Sequence, residues 1–166
     1  DKKHILNNLK YDVEFSDITE NFACLGLFGP KSRDLLTDLA GDKFNTEQFP
    51  FGSGKFLTVE GISIWFQRLS YVGELGWEVY IPIHNSKKIY DTIIEIGKTY
   101  QLIHAGAHAM DIMRMEKMYL HWGHDISPEE NPYEAGLGFA VSLNKEQDFI
   151  GKNALKKIDQ NQLTKK

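Results

Sequence analysis

The stretch Tyr71-Val72-Gly73-Glu74-Leu75-Gly76-Trp77-Glu78-Val79-Tyr80-Ile81-Pro82 most constrains how this chain can fold. It reads as the end of one strand, a tight turn on two glycines, and a second strand. Without a Cβ, Gly73 and Gly76 can take φ > 0 and reverse the chain sharply. From Trp77 to Ile81 the side chains alternate on a period of two. Trp77, Val79 and Ile81 therefore share one face, and Glu78 and Tyr80 the other. If that second face is open to water, Glu78 is a solvated strand acid. If it lines a pocket, Glu78 points inward as a hydrogen-bond acceptor. The strand pattern alone leaves both readings open.

With 166 residues, the chain suits one compact domain or two small lobes and is long enough to bury a core. Hydrophobic residues make up 42% and charged residues 25%, as in an ordinary soluble globular protein. The formal net charge of −4 argues against a broad nucleic-acid footprint, which needs a clustered basic face. Cys24 is the single cysteine, so no internal disulfide and no Cys-based zinc site can form. Its place in the apolar run Phe22–Phe28 suggests a buried small hydrophobe. No run of eighteen apolar residues and no secretory signal pattern is present. The chain opens without Met and in what reads as the tail of a helix, which suggests a fragment.

The order of elements follows from periodicity and punctuation. Residues 4–10 read as the end of a helix with Ile5, Leu6 and Leu9 inward. Val13 to Ile18 alternates like an edge strand, and Phe22 to Phe28 has the length and continuity of a buried strand. Pro30 suits the first position of a helix whose stripe is Leu35, Leu36 and Leu39 and which Gly41 ends. Lys55–Glu60 and Ile62–Leu69 read as a hairpin joined at Gly61. Asn85 or Ser86 can cap a helix with Ile89, Ile93, Ile94 and Ile96 inward. A further helix is expected from Ala107 to about Leu120, a strand from Leu137 to Leu143, and a last helix from about Gly151 to Ile158. Strands interleaved with helices, with hairpins and without regular βαβ repeats, predict an α+β fold of mixed or antiparallel sheets.

Chemical motifs are sparse. His104 and His108 could share a helix face, as zinc ligands do, but Ala105-Gly106 lies between them and no His-Glu-x-x-His occurs. Structural or surface roles account for these histidines and for His121 and His124. Asp111 and Arg114, three apart, can pair on one helix. Gly136-Leu137-Gly138 lacks the third glycine of a dinucleotide fingerprint.

Three blocks in order carry more information. They are Leu27-Phe28-Gly29-Pro30-Lys31-Ser32-Arg33, then Arg68-Leu69-Ser70-Tyr71-Val72-Gly73-Glu74-Leu75-Gly76-Trp77-Glu78, then Met113-Arg114-Met115-Glu116-Lys117 with Trp122-Gly123-His124-Asp125-Ile126 and Glu134-Ala135-Gly136-Leu137-Gly138. From about Tyr11 to Ile158 the chain resembles the aminomethyltransferase (glycine cleavage T-protein) folate-binding family. Arg-Met-Glu-Lys, Trp-Gly-His-Asp and Asp148-Phe149-Ile150-Gly151-Lys152 bring it closest to the branch fused to dimethylglycine and sarcosine dehydrogenases.

The resemblance implies tetrahydrofolate as cofactor and transfer of a one-carbon unit from an amine donor. It implies that Glu78 accepts hydrogen bonds from the amino-pyrimidine edge of the pterin and that Tyr71 contacts the ring. Glu74 falls in the turn as a structural residue. Residues 1–166 then form a folate-binding domain begun partway, without the family's C-terminal barrel domain. The family has an arginine immediately before the aspartate matching Asp111, placed to meet folate's carboxylate tail, and here that position is Met110, so the tail contact must differ or be missing. The family's catalytic aspartate lies upstream of the aligned part. No catalytic residue is assigned, and the chain alone is expected not to perform the transfer. The alternative is a folate-binding or regulatory module of the same fold without transferase chemistry. A cytoplasmic location, or the mitochondrial matrix in a eukaryote, is expected, with a homodimer formed through uncovered apolar surface or open strand edges.

Overall fold

Strand alternation is what builds the molecule's centre. In the computed structural model, which describes residues 2–10 and 12–163, four strands form one antiparallel sheet. They are β1 (Phe22–Phe28), β2 (Gly54–Val59), β3 (Ile62–Gln67) and β4 (Gly76–Pro82), in the order β1-β4-β3-β2. The helices are α1 (Lys2–Asn8), α2 (Ser32–Ala40), α3 (Ser86–Gly97), α4 (Ala107–Glu116) and α5 (Lys152–Leu155). The fold is α+β, as the interleaved pattern predicts.

One face of the sheet makes the core. Leu27, Trp77, Val79, Ile81, Ile64, Phe66, Leu57 and Val59 are buried there, together with Leu35 and Leu36 of α2 and Ile89 and Ile93 of α3. Phe44 and Phe49, from the loop after α2, set their rings edge-on to Trp77 at 5.5 and 6.0 Å. The Arg33 and Arg68 guanidiniums lie over the same indole at 5.4 and 5.7 Å. Each also ties down the loop, Arg33 donating to the Phe44 carbonyl and Arg68 to that of Phe49. Burial holds the Arg68 guanidinium below its usual range, and the neighbouring Arg33 charge adds to this.

The β2–β3 hairpin closes as predicted, through Glu60 at φ 49° and Gly61 at φ 80°. Two successive left-handed residues match the twist of the flanking strands, and glycine takes one of them without strain. Gly41 at φ 88° ends α2, donating its N–H to the Thr37 carbonyl.

Several expectations are corrected. Val13–Ile18 is not a strand. Among the described residues β1 has no strand neighbour on that side, and the segment instead closes turns through its own polar side chains, with Asp17 accepting from the Thr19 N–H and hydroxyl. β1 is an edge strand with alternating burial, and Cys24 is exposed on it rather than buried. Ile5, Leu6 and Leu9 are exposed. α2 starts at Ser32, two residues after Pro30.

The segment before β4 is loop, with Gly73 at φ 69° as its single left-handed glycine. Gly76 belongs to the strand. There a Cβ would stand 2.6 Å from the Leu27 carbonyl oxygen, so close approach rather than a turn requires glycine. α4 stops at Glu116, because Met118 takes a left-handed φ of 58°. Leu137–Leu143 holds a 3-10 turn at Gly138–Ala140, closed locally from Ala140 to Leu137 and from Val141 to Gly138. α5 is a single turn.

The chain divides into two compact units, residues 1–117 and 118–166. The sheet, α1–α4 and, among the described residues, all the buried apolar side chains belong to the first. Among the described residues the second consists of turns, two 3-10 turns (Gly138–Ala140 and Gln160–Gln162) and α5, with the stem of Lys152 buried and its ammonium donating to the Lys145 carbonyl at 2.7 Å. No helix among the described residues is long and apolar enough to cross a membrane.

Candidate functional site

The sheet's other face carries the candidate polar and aromatic groups. Because residues two apart share a face, Phe22, Cys24, Gly26 and Phe28 of β1 point the same way as Glu78 and Tyr80 of β4 and Trp65 and Gln67 of β3. The register sets Gly26 and Gln67 on either side of Glu78, and Cys24 and Trp65 on either side of Tyr80. Directly opposed side chains on adjacent strands stand ~5 Å apart at Cβ, so these groups form one patch.

Glu78 is half-buried at its centre. The Tyr80 hydroxyl donates to Glu78 Oε2 at 2.6 Å. Among the described residues no hydrogen bond reaches the other carboxylate oxygen. That bond from Glu78 pushes the Tyr80 phenol well above its ordinary range, helped by burial and by the negative charge itself. Although Cys24 is exposed at the surface, partial desolvation by its neighbours, and then the Glu78 charge, push its thiol up, so it is held as the neutral thiol.

Aromatic side chains share this face with the carboxylate. Trp65 stacks edgewise on Phe56 at 4.9 Å, lies over Gly54, and donates its indole N–H to Gln67 Oε1 at 3.2 Å. On the other side Phe28 lies across Gly26 and Gly76. A charged acceptor with one open oxygen, framed by aromatic rings, suits a planar ligand that offers N–H donors along one edge.

The predicted residues fall unequally on this patch. Glu78 is at its centre. Tyr71 is half-buried in the loop leading into β4, a loop anchored by Gly29 N–H donating to the Leu75 carbonyl at 2.8 Å. Glu74 pairs with Lys117 Nζ at 3.3 Å, a structural contact as expected. Asp111 pairs with Arg114 at 3.1 Å, also as expected, with Arg114 buried at 5% exposure. His104 shares a hydrogen bond with the Tyr90 hydroxyl at 2.6 Å. Among the described residues no three His, Cys, Asp or Glu side chains gather as metal ligands would. Sequence reasoning passed over Phe28 and Gln67. Their signal was available: glycines at 26 and 76 within apolar strands mark a close approach, here by a ring.

Comparison with known proteins bears on this patch. The family described as the GCVT N-terminal domain matches residues 1–145. The human protein "Dimethylglycine dehydrogenase, mitochondrial" is 41% identical over 148 residues, covering 89% of this chain and 17% of its own length. The mouse protein "Sarcosine dehydrogenase, mitochondrial" is 35% identical, covering 92% of this chain and 17% of its own length. "Aminomethyltransferase" of Symbiobacterium thermophilum is 36% identical, covering 94% of this chain and 42% of its own length. The chain thus spans less than half of each of these relatives.

Proposed function

Because this chain belongs to the GCVT N-terminal domain family, we propose that the outer face of its sheet binds the pterin ring of tetrahydrofolate. In this reading the chain is the folate-binding part of an aminomethyltransferase-like enzyme, which moves a one-carbon unit from an amine donor to tetrahydrofolate. One observation carries it: a half-buried strand carboxylate, oriented by Tyr80 through one oxygen and open at the other, amid aromatic side chains. Glu78 accepts from the amino-pyrimidine edge, where adjacent N–H donors match a two-oxygen acceptor. Tyr71 contacts the ring. The aminomethyltransferase relative supports the reaction class, and the two mitochondrial relatives support a matrix location if the source is eukaryotic.

Glu78→Gln tests this directly. The substitution keeps size but turns one acceptor oxygen into an N–H donor facing the ligand's own N–H. Losing a charge-assisted hydrogen bond is worth about 1.5–3 kcal/mol, or roughly ten- to a hundredfold in affinity. Glu74→Gln, which loses only the contact to Lys117, leaves affinity unchanged. Calorimetric titration with a reduced folate that gives equal losses for both variants rejects the assignment.

A further inference from the structure

We propose that Phe28 is the platform on which the ligand's planar ring stacks, completing the site that Glu78 begins. The inference rests on the folate reading of the outer sheet face. A Cβ built on Gly76 would meet Phe28 Cδ1 at 2.3 Å, and one built on Gly26 would meet Cε2 at 2.5 Å. These two ring carbons are para to one another. The ring therefore lies along the sheet, bridging β1 and β4 with one end over each glycine.

Neither glycine has a left-handed φ; at Gly76 the Leu27 carbonyl oxygen also presses on the missing Cβ, whereas at Gly26 every close neighbour is a Phe28 ring carbon. What uses the missing Cβ of Gly26 is the seat of the ring. The end over Gly26 is also the end next to Glu78, because those two residues oppose each other in register.

A cavity of about 420 Å³ opens at this point, lined by Gly26, Phe28 and Val72 and by Ala107, Met110 and Met113 of α4. No charged side chain lines it. Its volume falls in the range of small-molecule sites, and the two methionines give it a soft wall that adapts to a flat ligand. Glu78 does not line this cavity, so a heteroaromatic ring lying face-down on Phe28 meets it by extending its edge past Gly26, which opposes Glu78 in register. The geometry thus divides recognition in two, with Phe28 reading flatness and Glu78 reading the N–H edge. Val72 follows Tyr71 in the chain, so the loop that carries Tyr71 borders the same cavity.

Phe28→Leu keeps apolar bulk and removes the ring, while Phe28→Tyr keeps the ring. Each is titrated, in the whole chain, with 5-formyltetrahydrofolate and with tetrahydrobiopterin, which has the ring but no p-aminobenzoylglutamate tail. The expected result is a roughly three- to tenfold loss of affinity for Phe28→Leu, equal for both ligands, with Phe28→Tyr within twofold of the parent chain. A ring that only shields the glycine backbone gives a lower melting temperature for Phe28→Leu with unchanged affinity, which overturns the platform and leaves the folate reading intact. A loss confined to 5-formyltetrahydrofolate puts Phe28 against the tail and overturns it as well. Failure of the parent chain to bind either ligand overturns the folate reading, and this inference with it. If Phe28→Leu does not fold, Gly26→Ala displaces the ring by its Cβ alone. Its affinity should fall alike for both ligands, and unchanged affinity with a shifted Phe28 ring resonance overturns the proposal.

Discussion

Tyr80 donates its hydroxyl hydrogen bond to a carboxylate two positions back on its own strand, and this fixes the side chain at the centre of the candidate site. The phenol's ordinary value is 10.0, and the Glu78 bond, burial and the Glu78 charge all push it higher. A group whose folded value is raised contributes stability that is present below its unfolded value and is lost as pH rises through the folded one. The window therefore opens near pH 10 and extends upward. Tyr80→Phe should lower stability by about 1 kcal/mol at neutral pH, the usual worth of a partly solvated hydrogen bond. It should also flatten the alkaline limb of urea midpoints measured between pH 8 and 11. A variant as sensitive to alkali as the parent would show that the bond is absent in solution. At this scale the sequence was informative where one strand decides the outcome. The period of two put Glu78 and Tyr80 on one face, and the spacing of three paired Asp111 with Arg114. It was silent where two strands decide, since only the register reveals that Gly26, Gln67 and Glu78 stand in one row.

Elements were legible wherever they found a partner. The alternation of β2, β3 and β4 and the isoleucine stripe of α3 each meet a complementary face, so pattern and structure agree. Residues 13–18 and 137–143 carry similar apolar patterns and form no strand. Alternation creates a strand only when a ladder of backbone bonds is available, and these residues satisfy their polar groups in local turns. The segment before β4 misled for a related reason, because its two glycines serve different ends, one a turn and the other a tight strand crossing. Gly76→Ala tests the second. Its Cβ would stand 2.6 Å from a backbone oxygen, where no rotamer change relieves the clash, so β1 and β4 must separate. Overpacking of this kind costs about 1–3 kcal/mol. The urea midpoint should fall with the denaturant slope unchanged, since the surface exposed on unfolding is the same. A midpoint equal to the parent's would mean that the β1–β4 crossing is looser than described.

The chain as a whole concentrates its hydrophobic burial in residues 1–117. The second unit holds the Trp122-Gly123-His124-Asp125 and Glu134-Ala135-Gly136 wording that carried the family resemblance, and there those residues close hydrogen-bonded turns. Gly123 donates to the Ile126 carbonyl at 2.7 Å, His121 N–H to Asp125 Oδ2 at 2.8 Å, and the Asn131 side-chain amide to Glu134 Oε2 at 2.7 Å. Such motifs are easy to recognise and add little cohesion, because turn hydrogen bonds exchange readily with water while buried apolar area does not. Phe139 at 88% exposure and Trp122 at 64% stand in solvent. Local stability tracks buried contacts, so the two units should open with different free energies. In hydrogen exchange read by mass spectrometry, amides of β1, β3, β4 and α3 should exchange only through global unfolding and accelerate steeply with added urea. Amides of residues 118–163 should exchange through small openings, orders of magnitude faster, with almost no urea dependence. Equal protection and equal urea dependence in both units would show that the second is held by burial that these turns do not supply.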